Sequence, residues 1–118
     1  MELKLSNRAV EGVTVVDCSG RIVFGEESAY LRDTVKALLS ETKRIVLNLR
    51  GVSYIDSGGL GTLVSLYTSA QTAGGEIKLA ELTQRTSQLL QVTKLVTVFD
   101  VKNTEQEAIA AFPKVAKA

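Results

Sequence analysis

Along this chain of 118 residues the hydrophobic positions change period several times, and each change marks the edge of an element. The sharpest change lies in the middle. Ile45-Val46-Leu47-Asn48-Leu49 is a short run of leucine and β-branched residues, the pattern of a strand covered on both faces. Beyond the turn Asp56-Ser57-Gly58-Gly59-Leu60-Gly61, residues Leu60, Leu63, Val64, Tyr67 and Ala70 recur at spacings of three and four, while Thr62, Ser65, Ser69 and Gln71 fall on the other side. This spacing predicts an amphipathic helix from about Ser57 to Ala73, stopped by Gly74-Gly75.

The rest of the chain reads as support for that strand-to-helix turn. Glu2 to Ser6 alternates polar and apolar, as an edge strand does; Asn7 to Gly12 reads as a turn, and Val13 to Cys18 as the hairpin partner. Gly20 punctuates the pattern before Ile22-Val23-Phe24, a third short strand or extended segment. A helix is predicted over roughly Glu26 to Thr42, with Leu31, Val35, Leu38 and Leu39 facing inward. Glu26 and Glu27 occupy its dipole-favoured start, and Lys43 and Arg44 follow its end.

Glu76 to Ala80 is the next strand, so strand, helix and strand form a βαβ unit with parallel strands and a right-handed crossover. Thr83 to Thr93 predicts a shorter helix with Leu82, Leu89 and Leu90 inward, and Val96 to Phe99 a final strand. Thr104-Glu105-Gln106-Glu107 has capping-box form ahead of a last helix carrying Ala108, Ile109 and Phe112. Pro113 and a basic, small-residue tail follow. The expectation is a single α/β domain over residues 1–118, with a flexible tail from about residue 113.

Composition narrows the function classes. No apolar run approaches the roughly 18 to 20 residues of a membrane span, and Met1 to Leu5 lacks signal-peptide form, so the expected location is the cytoplasm without membrane insertion. Fourteen basic and thirteen acidic residues, with only three Phe and three Tyr, leave no basic footprint or stacking platform for nucleic acid. The single Cys18 has no partner for an internal disulfide and is expected to pack as a small apolar residue. Histidine is absent, which removes Ser-His-Asp and Cys-His catalysis and nearly all zinc sites. No metal or cofactor is expected.

The glycine turn is where function would reside. As a nucleophile Ser57 lacks a base: no Ser-x-x-Lys pattern includes it, and Ile55 stands where the first glycine of Gly-x-Ser-x-Gly would be, so an enzyme is not expected. Gly61 is followed by Thr62 without a lysine, and Gly58, Gly59 and Gly61 do not spell Gly-x-Gly-x-x-Gly, so nucleotide binding has little support. Two readings remain on residue chemistry alone. Either Asp56 or Ser57 is simply a helix N-cap and the glycines a tight turn, or the Ser57 hydroxyl is a substrate for another protein's active site. Phosphorylation there would add about −1.5 to −2 charge, favoured by the helix N-terminus and opposed by Asp56. Such a modification would switch a surface rather than melt the domain.

The stretch from Ile45 through Gly61 closely resembles the anti-anti-sigma factors, the bacterial anti-sigma factor antagonists of the STAS domain superfamily. The similarity covers nearly the whole chain, including a Gly20-Arg21 turn after the second strand, Gly74-Gly75-Glu76, and Leu89-Leu90 to Leu95. The resemblance implies a mixed sheet of four to five strands packed with about four helices. It also implies a cycle in which the antagonist binds a GHKL-type serine-kinase anti-sigma factor, frees the sigma factor, is inactivated by phosphorylation at Ser57, and is restored by a PP2C-type phosphatase. The partner-binding surface then maps onto Asp56, Ser57, Gly58, Gly59, Leu60 and Gly61, with Gly20, Arg21 and Val23 alongside.

Two departures from the family pattern stand out. The Ser or Thr that commonly follows the phosphorylated serine is Gly58 here, which leaves a single acceptor and a more flexible turn; the acidic positions near Gly20 are replaced by Arg21 and Val23. Two alternatives stay open: a non-phosphorylated STAS module, serving a lipid-transport ABC complex or a signalling scaffold, and a small-ligand or nucleotide sensor. A monomer is expected for the free chain.

Overall fold

The computed structural model describes residues 1–113. The elements are β1 (Leu3–Val10), β2 (Val13–Ile22), α1 (Glu26–Leu39), β3 (Arg44–Ile55), α2 (Ser57–Thr72), β4 (Glu76–Ala80), α3 (Gln84–Val92), β5 (Asp100–Lys102) and α4 (Glu105–Ala110). The sheet order follows the chain, β1-β2-β3-β4-β5, with β1 antiparallel to β2 and every other neighbouring pair parallel. This is the mixed five-stranded sheet that the resemblance implies, with β3, α2 and β4 forming the predicted βαβ unit.

Alternation along the strands gives the sheet two different faces. Val16, Cys18, Ile45, Leu47, Leu49, Ile77 and Leu79 face the main core with Leu31 and Val35 of α1, Leu63 and Leu66 of α2, and Leu90 of α3. Each such side chain contributes about 1.5–3 kcal/mol by leaving water, so this layer fixes where the strand ends sit. Cys18 is part of it, as expected, and burial pushes its thiol pKa up to about 12. On the opposite face Val13, Val15, Val46 and Ala80 form a smaller core under Ala108, Ile109 and Phe112. The capping box of α4 forms as predicted from Thr104 and Glu107.

Several expectations change. Asn7 to Gly12 is not a turn: β1 continues to Val10, which pairs with Val13, and only Glu11 and Gly12 connect the strands. Both have positive φ, 51° and 79°, the signature of a tight hairpin turn matched to strand twist. The edge position hid this extension, because most of its residues are exposed and carry no apolar alternation. Arg8 within it is held across the sheet by Asp17 and Glu105.

Gly20 does not end β2, and Ile22-Val23-Phe24 is not a separate strand. β2 runs through Gly20 to Ile22, with shifts in its pairing to β3 between Asp17 and Ser19 and between Gly20 and Arg21. Gly20 has φ 115°, and a Cβ there would lie 2.1 Å from the Glu2 carbonyl oxygen, so the residue permits a close crossing of β1 rather than a turn.

β3 extends from Arg44 to Ile55, well past the apolar run ending at Leu49. α1 ends at Leu39 with Ser40 as its cap, short of Thr42, and only part of its predicted stripe is fully buried, Leu38 being half-buried. Thr62, assigned to the polar side of α2, is buried and donates its hydroxyl to the Gly58 carbonyl at 3.1 Å, while Leu66 is a core residue that the stripe omitted. Val96 to Phe99 is not a strand. Leu95–Thr97 is a 3₁₀ turn with Val96 and Val98 exposed, and the final strand is Asp100–Lys102. Phe99 turns inward instead and meets Tyr67 edge to face at 5.8 Å. The basic tail after Pro113 lies outside the described residues.

Candidate functional site

The turn between β3 and α2 sits at the C-terminal ends of the parallel strands. Register carries it there: Arg21 pairs with Tyr54 and Ile22 with Ile55, and the Asp56 N–H donates to the Ile22 carbonyl at 3.3 Å. The start of α2 is thereby fixed to the end of β2.

Asp56, not Ser57, is the helix N-cap. Its Oδ1 accepts the Gly59 N–H at 2.7 Å, and both carboxylate oxygens lie 3.1 Å from the Phe24 nitrogen, which donates to them. The Gly59 N–H, followed by those of Phe24 and Gly58 and by the nearby Arg21 cation, holds the Asp56 carboxyl below its ordinary pKa despite partial burial. The side chain is thus ionised and fully engaged at neutral pH.

Ser57 is the first helical residue. It is exposed, and among the described residues its hydroxyl has no hydrogen-bond partner. The N-cap reading open from sequence thus falls to Asp56, and the Ser57 hydroxyl makes no hydrogen bond among the described residues.

The three glycines differ in what they do. A Cβ on Gly59 would lie 2.0 Å from the Ile22 carbonyl oxygen, so this residue lets α2 approach the end of β2 and is itself buried. A Cβ on Gly58 would lie 2.6 Å from Phe24 Cβ and 3.0 Å from its Cα. The glycine where the resembled family commonly has a hydroxyl residue therefore makes room for Phe24; its role is space. Gly61 is exposed and has nothing within 4 Å of a built Cβ.

The predicted surface is brought together only in part. Ser57 and Gly61 are exposed and Asp56 and Gly58 half-buried, but Gly59 and Leu60 are buried, with Leu60 in the main core, and neither offers a side-chain contact to a partner. Arg21 is exposed beside the turn, its guanidinium 5.4 Å from the centre of the Tyr54 ring. Val23 is half-buried, and its carbonyl accepts the Ser28 N–H at 3.1 Å and the Ser28 hydroxyl at 2.7 Å. Gly20 pairs with Val52 and lies against Glu2, which makes its role structural.

Residues that sequence reasoning did not select complete the surroundings. On one side of the turn a groove of about 420 Å³ runs along Tyr54, Ser57, Arg85, Leu89 and Val92. On the other a groove of about 480 Å³ lies between α1 and α2, lined by Phe24, Arg32 and Gly61 among others. Phe24 is 82% exposed and Val92 80% exposed. Their sole sequence signal is an apolar residue outside its element's stripe, which an isolated surface residue gives equally well.

Comparison with known proteins agrees with this architecture. The family model of the STAS domain matches residues 4–108. The chain is 34% identical over 90 residues to the anti-sigma-B factor antagonist of Listeria monocytogenes, covering 72% of this chain and 79% of that protein. It is 31% identical over 83 residues to the anti-sigma-B factor antagonist of Bacillus subtilis, covering 67% and 76%. Among solved structures, an anti-sigma factor antagonist from Mycobacterium paratuberculosis superposes with a TM-score of 0.79 at 23% identity, covering 92% of each chain, which speaks for the fold. With its sheet order, its capped glycine turn and the match over residues 4–108, the chain belongs to the STAS domain family.

Proposed function

We propose that this chain is an anti-sigma factor antagonist whose binding surface surrounds Ser57 and is switched off by phosphorylation of that residue. The observation that carries the reading is the division of labour at the turn. Asp56 caps α2 and leaves the neighbouring Ser57 hydroxyl exposed and without a partner among the described residues. A kinase can reach that oxygen without unfolding the helix. The relatives named above, which are antagonists of anti-sigma factors, support the class of partner.

In this reading the unmodified chain binds a GHKL-type serine-kinase anti-sigma factor in the cytoplasm and so releases the sigma factor. The partner then transfers a phosphoryl group to Ser57 Oγ, and a PP2C-type phosphatase removes it. The chain acts as a binding module and a substrate, not as a catalyst. A phosphate at the first helical position is favoured by the helix dipole. It also places a dianion in a closely packed interface, where an uncompensated buried charge costs several kcal/mol and changes affinity by orders of magnitude.

The test is capture from native extract with the wild type, Ser57→Ala and Ser57→Asp as baits, with intact-mass measurement of the wild type after incubation with the captured partner and ATP. The reading requires an anti-sigma factor on the first two baits, its depletion on the third, and a phosphoryl mass gain that Ser57→Ala lacks. Equal capture by all three baits with no mass gain would instead make the chain a constitutive adaptor.

A further inference from the structure

We infer that Phe24 is the apolar anchor by which this chain docks its anti-sigma factor partner, an assignment that rests on the function proposed above and names a residue of that interface. The residue is 82% exposed, the most exposed large hydrophobic among the described residues. Its backbone is nevertheless fixed from three directions. Its N–H donates to both oxygens of Asp56 at 3.1 Å, the preceding carbonyl accepts two hydrogen bonds from Ser28, and its Cα and Cβ occupy the space a side chain at position 58 would need. An aromatic side chain on a preorganised backbone loses little freedom on binding, which is the profile of an interface hot spot.

Its surroundings indicate the chemistry of the partner. Phe24 packs against Asp56 and Gly58, the residues on either side of the acceptor Ser57, and lines the groove between α1 and α2. Arg21, Arg32 and Arg85 lie around this end of the molecule, on β2, α1 and α3. Of the nearby carboxylates, Asp56 is taken up by two backbone N–H groups and Glu27 is buried against the Glu2 N–H at 2.8 Å. Glu26, 76% exposed, and Glu2, exposed with its carbonyl accepting the Arg21 N–H, remain as the outward-facing acids there, against the three arginines. The surface is therefore an apolar centre with a mainly basic rim, and it fits a protein partner with an apolar pocket flanked by carboxylates. A pocket that receives Phe24 also brings the partner onto Ser57, which couples docking to modification.

The experiment measures, by calorimetry, the affinity of the purified anti-sigma factor, identified as the protein that wild type captures and Ser57→Asp does not, for wild type, Phe24→Ala, Phe24→Leu and Ser57→Asp. Phe24→Ala is expected to weaken binding by about 30-fold or more, and Phe24→Leu to recover most of the loss. The thermal midpoint of Phe24→Ala should stay within about 2 °C of wild type because an exposed ring contributes little to folding. The basic rim predicts that raising the salt concentration slows association of the wild type. Unchanged affinity for Phe24→Ala, with Ser57→Asp still defective, would overturn the anchor and leave the proposed function standing. If no anti-sigma factor distinguishes Ser57→Asp from wild type, both fall together. Should Phe24→Ala abolish self-association of the wild type while partner affinity is unchanged, the ring belongs to a contact between copies and the assignment is likewise overturned.

Discussion

Both oxygens of the Asp56 carboxylate lie 3.1 Å from the Phe24 nitrogen, so the residue that caps α2 also holds the loop that enters α1. One ionised group therefore ties two helix starts together beside Ser57.

Replacing Asp56 tests that double role. Asp56→Ala removes an N-cap and a charge-assisted bond to the Phe24 N–H, an expected loss of about 1–3 kcal/mol in denaturant unfolding. Asp56→Asn keeps an acceptor oxygen and should lose about half as much. Equal stability of Asp56→Ala and wild type would mean that the cap is dispensable.

Acid should weaken the fold through the same residue and three others. Gly59 and Phe24 N–H groups lower the Asp56 pKa, the Glu2 N–H lowers that of Glu27, the Lys78 ammonium lowers that of Asp100, and the Arg8 guanidinium lowers that of Glu105. In each case the folded value lies below the unfolded one, about 3.9 for Asp and 4.3 for Glu. The unfolded chain therefore binds more protons in between. The stabilisation is complete above the unfolded values and is lost as pH falls through the folded ones. Urea unfolding at steps from pH 6 to pH 3 should show falling stability below about pH 4.5, with a shallower fall in Asp56→Asn.

Two glycines separated by a single residue should respond in opposite senses to the same substitution. Gly59→Ala drives a methyl group to within 2.0 Å of the Ile22 carbonyl oxygen and should cost about 3 kcal/mol or more. Gly61→Ala meets open space inside a helix and should add about 0.5–1 kcal/mol. Unfolding curves of the two variants decide this, and a common sign would contradict the packing described for α2.

Lys78 offers a fourth check. Its ammonium is buried between Glu76 and Asp100, 4.7 Å from the centre of the Phe112 ring. Burial alone would lower its pKa, but the two carboxylates outweigh that and raise it, so the group stays charged. Because both carboxylates are partly exposed, Lys78→Met should cost only about 1 kcal/mol, whereas Lys78→Ala also removes the stem packed under α4 and should cost about 2–3 kcal/mol. Equal losses in the two variants would place the stabilisation in the ion pair rather than in packing.

What could be read from the chain followed the strength of its local signals. The βαβ unit was legible because Ile45 to Leu49 is nearly all apolar, α2 has a clear stripe, and Gly74, with φ 77°, ends it. The capping box at Thr104 was legible because both halves of a local hydrogen-bond pair lie within four residues. The long edge strand was not, since Asn7, Arg8 and Ala9 are exposed and their partners come from β2 across the hairpin. Val96 and Val98 misled for the opposite reason: β-branched residues favour strands wherever they occur, but no neighbouring strand pairs with them here.

The candidate site divides in the same way. Sequence alone determined that a carboxylate, a hydroxyl and three glycines meet at a strand-to-helix turn and that histidine chemistry is absent, because these depend only on residue order and type. Tertiary structure decided that Asp56 takes the cap and leaves Ser57 free, that Gly58 serves Phe24 and Gly59 serves Ile22, and that Leu60 belongs to the core. Those assignments depend on the end of β2 lying beside the start of α2, a contact between residues more than thirty positions apart. Only the pairing of β2 with β3 brings them together.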